Sequence, residues 1–244
     1  YLKRITHSMN EEGRKIRYQF LSVLSHELKA PLNAVEGYLR MMQDKQAGDR
    51  IDDYATPIER SLQRIQGMRN LIMDLLDVTK IQLVRKDEKA EMVNLENIAS
   101  GAIVTVRPLA IQMDVAVKLT VKSEAIITAD PTDMEIIFNN LVSNSVKYNR
   151  RGGRSEIILD STENDVIAIF IDTGIGISKT DQENLFSEFV RIKNERTRNI
   201  TGSGLGLSIV KKVVDLYNGS ITVSSIPDEG TTFTVRLPKK QLIK

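Results

Sequence analysis

The apolar residues of this chain change their period near residue 84, and that change constrains the fold more than any other feature. Up to about Leu83 they recur in steps of three and four. The first series is Leu21, Leu24, Leu28, Leu32, Val35, Leu39 and Met42; after the polar, glycine-containing stretch Asp44 to Arg50 it resumes as Ile58, Leu62, Ile65, Ile72, Leu76, Thr79 and Leu83. Residues 1–86 therefore read as two long helices in a hairpin. Each helix carries a heptad-like seam that a lone hairpin cannot cover, so a homodimer closing a four-helix bundle is the natural completion. The alternative is that the seams pack on the second half of the same chain.

The stretch VRKDEKAE, Val84 to Glu91, has no apolar period and reads as a linker or frayed helix end. Beyond it come alternations of period two: VAVKLTV, AIITAD, EIILDS, DVIAIFID, SITVSS and TTFTVRLP. Helical stretches are expected at Leu95 to Ala110, Pro131 to Tyr148, Lys179 to Val190 and Leu205 to Tyr217. Strands interleaved with helices, closed by a two-strand hairpin, predict an α/β sandwich with a mixed sheet over residues 87–244. The fold class is thus α plus α/β.

Charge excludes some functions. Lys and Arg number 34 against 32 Asp and Glu, a net charge of +2, which gives no polyanion-binding surface and no nucleic-acid partner. The absence of cysteine excludes disulfides, thiolate metal sites and a cysteine nucleophile. The longest apolar run, Val166 to Ile171, is far short of the roughly 20 residues that span a bilayer, and no signal-peptide pattern opens the chain. The segment is expected to be soluble and cytoplasmic, without membrane contact of its own. Because it begins at Tyr1 inside what already reads as a helix, it is expected to be a fragment, with any anchor in the inner membrane lying upstream.

One of the chain's 2 histidines sits in SHELKAP, Ser25 to Pro31. At about 100° per residue, Leu24 and Leu28 lie roughly 160° from His26, while Gln19, Ser22, Lys29 and Asn33 share its stripe, so the imidazole faces solvent. The other histidine, His7, is far along the helix, and metal ligation by the pair is not expected. Pro31 lacks an amide proton and crowds the carbonyl of Glu27, which bends the helix just past His26. Glu27 could orient one ring nitrogen or take its proton while the other attacks an electrophile. On its own, an exposed histidine of this kind is commonly inert surface.

The second half supplies an electrophile's cradle. IDTGIGI, Ile171 to Ile177, ends a hydrophobic strand with Asp172, Gly174 and Gly176. TGSGLGLSIV, Thr201 to Val210, places Gly202, Gly204 and Gly206 before an apolar helical run. Glycines so spaced let backbone amides approach a phosphate, and an aspartate at a strand end can accept a hydrogen bond from an exocyclic amine. Tight turns are the plainer reading of each. Neither is a Walker loop, since no G-K-[ST] follows, nor a Rossmann fingerprint, since no strand precedes the second. In FNNLVSNSVKYN, Phe138 to Asn149, Asn140 and Asn144 share a helical face, with Lys147 one turn on; amide oxygens suit Mg²⁺ that bridges phosphates.

These pieces, in this order and with LFSEFVR between the two glycine stretches, resemble the sensor histidine kinases of two-component systems over nearly the whole chain. FLSVLSHELKAPLNAVEGY is similar to their phospho-acceptor box, NNLVSNSVKYN to their asparagine box, and EGTTFTVRLP to the closing strand of their catalytic domain. The resemblance implies a dimerisation and phosphotransfer hairpin followed by a Bergerat-type ATP-binding domain. It implies His26 as phospho-acceptor and Glu27 as its base, ATP and Mg²⁺ as cofactors, and a response regulator receiver domain as partner. Asn144 would ligate Mg²⁺ with Asn140 in support, and Asp172 would recognise adenine. Lys147, Tyr148 and Arg191 would lie by the phosphates or the adenine edge, with Gly174, Gly176, Ile177 and Thr231 around the nucleotide. Gly202, Gly204, Leu205, Gly206 and Leu207 would form the base of a lid. The rival reading is an ATPase of the same wider superfamily that uses the hairpin only as a dimer scaffold. One departure stands out: four residues past the histidine, where the family commonly has Thr or Asn, this chain has Ala30.

Overall fold

The computed structural model describes residues 25, 28–83, 90–188, 190–192, 196–197, 200 and 204–239. The chain divides into two compact units, Tyr1–Met73 and Asp74–Lys244.

In the first unit residues 28–43 are helical (α1). A turn and one 3₁₀ turn, Ile51–Tyr54, lead into α2, Ala55–Leu83. Tyr54 closes this connection: its hydroxyl donates to Gly48 O at 2.7 Å and accepts from Ala47 N at 3.3 Å. Among the described residues, several positions of the apolar seams are exposed. Leu32 and Leu39 are 56% exposed and Leu62 is 62% exposed, with Ile65 and Ile72 also exposed, while Val35 and Leu71 are buried.

The second unit contains β1 (Glu91–Asn94), α3 (Leu95–Met113), β2 (Ala116–Val121), β3 (Ile126–Ala129), α4 (Pro131–Lys147), β4 (Arg154–Ser161) and β5 (Asp165–Asp172), followed by α5 (Lys179–Gln182), α6 (Gly206–Leu216), β6 (Ser220–Ile226) and β7 (Gly230–Pro238). Five strands form a sheet in the order β2-β4-β5-β7-β6, parallel between β2 and β4 and antiparallel elsewhere, so the expected mixed sheet is present. Burial alternates strictly along β5 and β7. One sheet face is therefore dry, and α3, α4 and α6 pack on the strands to cover it. Phe138 of α4 meets Phe170 of β5 edge-on, ring centroids 5.2 Å apart.

Helix starts follow their chemistry. Asn94 caps α3 by accepting from Glu96 N at 2.8 Å, and Asp130 caps α4 by accepting from Thr132 N at 2.8 Å, with Pro131 at the position where a missing amide costs nothing.

Two expectations need correction. Glu91, read as the end of a linker, begins β1, which pairs antiparallel with β3 in a separate ribbon. The helix expected over Lys179 to Val190 stops at Gln182, and residues 183–186 continue in turns. The Gln182 amide is drawn off the helix to Ile177 O (2.8 Å) and Ser225 O (3.1 Å), and Leu185 N and Ser187 N bond three residues back rather than four. Phe186 is then free to set its ring edge-on to Phe233.

Tyr217, just past α6 and 3% exposed, joins α6 to the start of α4: its hydroxyl donates to Asp133 Oδ2 at 2.6 Å and accepts from Asp130 N at 3.0 Å. Burial raises the phenol's pKa, and the bond to Asp133 adds to this. Tyr217→Phe should cost about 1–3 kcal/mol by removing the hydroxyl that bridges the Asp130 amide and the Asp133 carboxylate. Urea unfolding would check this: a lower midpoint at unchanged slope is expected, and an unchanged midpoint would contradict the account.

Candidate functional site

The site is built on the last inward position of β5. Alternation turns Val166, Ala168 and Phe170 into the dry face, and by the same period the next inward side chain is the carboxylate of Asp172, 9% exposed. Its cross-strand neighbours are Ser155 of β4 and Thr231 of β7, both buried, so the row ends in polar groups at one rim of the sheet. Ser155 exchanges a 2.6 Å hydrogen bond with Ser145 of α4. Asp172 Oδ1 accepts from Gly174 N at 2.8 Å, and the carboxylate also accepts from the Thr231 backbone amide. Desolvation outweighs both bonds and raises the carboxyl to about 6.

Glycine is required where the backbone crowds Asp172. A Cβ on Gly174 would lie 2.3 Å from Tyr148 O and 2.7 Å from Asp172 Oδ1. Gly230, at φ +131, would set one 1.9 Å from Asp172 O.

The end of α4 docks on the same loop. Tyr148 O accepts from Ile175 N at 3.0 Å, and the half-buried Tyr148 phenol is pushed up by burial against the opposing charge of Arg191, so these two predicted residues are neighbours. Arg191 also donates to Ile200 O at 2.7 Å. Asn149, 6% exposed, pins the junction: its amide donates to Ser145 O (2.8 Å) and Arg154 O (2.9 Å), and Oδ1 accepts from Arg150 N (3.0 Å).

The two asparagines of α4 differ. Asn140 donates to Ile136 O at 2.9 Å, and its Oδ1 would lie 2.4 Å from a Cβ at Gly206; that glycine lets the start of α6 approach α4. Asn144, half-buried, makes no side-chain hydrogen bond among the described residues, so its amide oxygen fits a hard cation. No cluster of His, Cys, Asp and Glu able to hold a metal occurs among the described residues. A cation at Asn144 would therefore depend on phosphate oxygens for the rest of its shell.

The remaining predicted residues are placed as follows. Ile177 N donates to Ser225 Oγ at 2.8 Å, and Gly176, at φ +65, faces Ile226 O so closely that no Cβ fits. Lys147 is in the last turn of α4. Gly204 takes φ +75, Leu205 is fully buried, and Leu207 is half-buried on the first turn of α6. His26, Glu27 and Gly202 lie outside the described residues. The sequence reading missed Asn149, Ser225 and Gly230. Gly230 alone left a signal, a glycine opening the last strand.

Residues 129–241 match the family described as histidine kinase-, DNA gyrase B-, and HSP90-like ATPase, and residues 16–83 match the His Kinase A (phospho-acceptor) domain. The α/β unit thus belongs to an ATP-binding class of domain. With the phospho-acceptor domain ahead of it, the chain belongs to the sensor histidine kinases of two-component systems. It is 31% identical over 236 residues to the Non-motile and phage-resistance protein of Caulobacter vibrioides and to the Sensor histidine kinase GacS of Pseudomonas protegens, in each case over 93% of this chain. It spans only 28% and 25% of those relatives. In fold it is similar to the Acinetobacter baumannii histidine kinase AdeS (TM-score 0.70, 20% identity, 88% of this chain and 98% of that one). It is likewise similar to histidine kinase ThkA, solved in complex with response regulator protein TrrA (TM-score 0.75, 20% identity, 96% and 65%).

The buried carboxylate carries a stability signature. Between about pH 4, where an unfolded Asp ionises, and about 6, the folded chain keeps a proton that the unfolded chain has lost. Stability from this group is therefore present at low pH and is lost as pH rises through that window. Asp172→Asn, which cannot ionise, should lose less stability across it, by on the order of 2–3 kcal/mol. Urea midpoints at the two ends of the window check this, and parallel pH profiles for the two proteins would contradict it.

Proposed function

We propose that this chain autophosphorylates on His26 at the expense of ATP and passes the phosphoryl group to an aspartate of a response regulator receiver domain. The observation that carries the reading is the union of two parts in one chain. A phospho-acceptor domain spans His26, and an ATPase domain ends its central strand in a buried carboxylate with acceptor capacity to spare. An ATPase using the hairpin only as a scaffold would need no histidine there. The ThkA structure, with its response regulator partner, supports the same direction of transfer.

Residues 1–86 act as the dimerisation and phosphotransfer hairpin and residues 87–244 as the catalytic domain. The exposed seam residues Leu32, Leu39, Leu62, Ile65 and Ile72 favour a homodimer, in which a second copy covers them. The segment works in the cytoplasm; among the described residues no helix is long and apolar enough to cross a membrane.

In the mechanism, Asp172 accepts a hydrogen bond from the adenine amine, and Gly174, Gly176, Ile177 and Thr231 line the base. Tyr148 and Arg191 flank it, Lys147 lies by the phosphates, and Gly202, Gly204, Leu205, Gly206 and Leu207 form the base of a lid. The Asn144 amide oxygen, with Asn140 behind it, would hold Mg²⁺, which would supply charge neutralisation at the phosphate oxygens. The lone pair of one His26 ring nitrogen attacks the γ-phosphorus, the bond to the β-phosphate oxygen breaks, ADP leaves, and Glu27 takes the ring proton. A receiver aspartate then takes the phosphoryl group from the same nitrogen.

Incubation with γ-labelled ATP tests this. The wild-type chain should take up acid-labile, alkali-stable label, and His26→Gln should take up none while binding ATP within about twofold of wild type, because binding and acceptor lie in separate domains. Labelling of His26→Gln would overturn the assignment.

Ala30 gives a second expectation. It lies about 40° around the helix from His26, where a hydroxyl or amide could hold a water in line with an aspartyl phosphate and a methyl group cannot. The chain is accordingly a net kinase. Ala30→Thr or Ala30→Asn should speed decay of purified phosphorylated regulator in the presence of ADP, with modest effect on autophosphorylation. Rapid decay with the unaltered chain would contradict this.

A further inference from the structure

Ser225, next to last in β6, has a hydroxyl with three close polar neighbours, and together they fix where its proton lies. Gly230 O is 2.8 Å away, Thr231 Oγ1 is 2.9 Å away, and Ile177 N donates from 2.8 Å. A carbonyl has no proton, so two oxygens at that separation are attractive only if the Ser225 proton sits on the bond to Gly230 O. The Ile177 amide fills one lone pair of Ser225. In the third contact the proton must then come from Thr231. The one hydroxyl proton of Thr231 is turned toward Ser225, and its oxygen is left as an acceptor.

The consequence falls on the base pocket. Thr231 lies directly opposite Asp172 in the β5–β7 register, is 6% exposed on the same dry face, and already gives its backbone amide to the Asp172 carboxylate. We propose that Ser225 is a positioning residue for base selection: by holding the Thr231 proton away, it leaves Asp172 and Thr231 presenting acceptors alone, a surface matched to a purine with a 6-amino group and mismatched to a 6-oxo purine. Gln182 stiffens the arrangement by donating to both Ile177 O and Ser225 O. The inference rests on the reading that this site binds ATP.

The test compares the affinities of the whole chain for ATP and for inosine triphosphate by calorimetry. The 6-oxo oxygen of inosine meets two acceptors in the wild type, so ATP should bind at least about tenfold more tightly. In Ser225→Ala the Thr231 hydroxyl is free to donate to that oxygen, and the preference should shrink about tenfold. Ser225→Thr, which keeps a hydroxyl, should retain the wild-type ratio, an outcome that a merely structural role for the side chain does not predict. If Ser225→Ala shows no unfolding transition, the near-isosteric Ser225→Cys carries the same expectation. A ratio unchanged in Ser225→Ala or Ser225→Cys, with Asp172→Asn still weakening ATP, would overturn the role of Ser225 and leave the ATP reading standing. Binding of neither nucleotide by the wild type would overturn both.

Discussion

A carboxylate held in a place made for apolar side chains is the constraint on which the rest of this structure depends. Period-two alternation along β5 turns Asp172 into the dry face after Val166, Ala168 and Phe170, and nothing in the strand's geometry allows it to turn away without turning them out as well. A charged group there is tolerated because backbone amides, of Gly174 and Thr231, are aimed at it. The Gly174 amide approaches so closely that a side chain at residue 174 would meet the carboxylate, and a side chain at residue 230 would meet the main-chain oxygen of Asp172. The two glycines therefore serve the close packing of backbone around Asp172. The carboxylate keeps acceptor capacity beyond its two bonds from backbone amides.

Around this group the described residues are tied by hydrogen bonds to main-chain groups, and Arg196 forms an ion pair with Asp228. Tyr148 O receives Ile175 N, Asp228 N bonds Ile175 O, and Asn149 ties the end of α4 to the start of β4. Gly206 lets α6 approach Asn140. The arrangement couples the helix bearing Asn144 to the loop that follows Asp172 with few rotatable side chains between them, so the separation of that amide from that carboxylate is fixed by backbone. A long nucleotide needs such rigidity if its terminal phosphate is to be presented along a set line.

Much of this was legible in the sequence. Long elements with a strong period, α4, β5 and β7, were readable because burial of one face imposes the period, and α2 was readable from a seam that is exposed at Leu62, Ile65 and Ile72. The glycine and asparagine stretches were readable because few residues other than glycine take positive φ, and because amides four apart share a helical face. What could not be read was anything set by tertiary partners. The helix expected after Lys179 ends at Gln182, where the side chain is captured by Ile177 O and by Ser225 O, the second of these distant in sequence. β1 was hidden because EMVN is too short for alternation to register and owes its form to β3. Ser225 stands in SITVSS like any edge-strand serine, and its role exists only once Ile177, Gly230 and Thr231 surround it. The difference between Asn140, which donates to its own helix, and Asn144, whose amide makes no such bond, is equally invisible in a string of letters.

The central claim, that a buried and ionised Asp172 reads the nucleotide base, is tested most directly by ATP affinity as a function of pH in the wild type and in Asp172→Asn. The ratio of the two dissociation constants removes the titration of the phosphates, which is common to both. Above about pH 6 the wild type should bind roughly ten- to a hundredfold more tightly than the variant, and the ratio should fall toward one as pH drops through that value. A ratio that stays near one at every pH, or one that does not change between pH values on either side of about 6, would contradict the account.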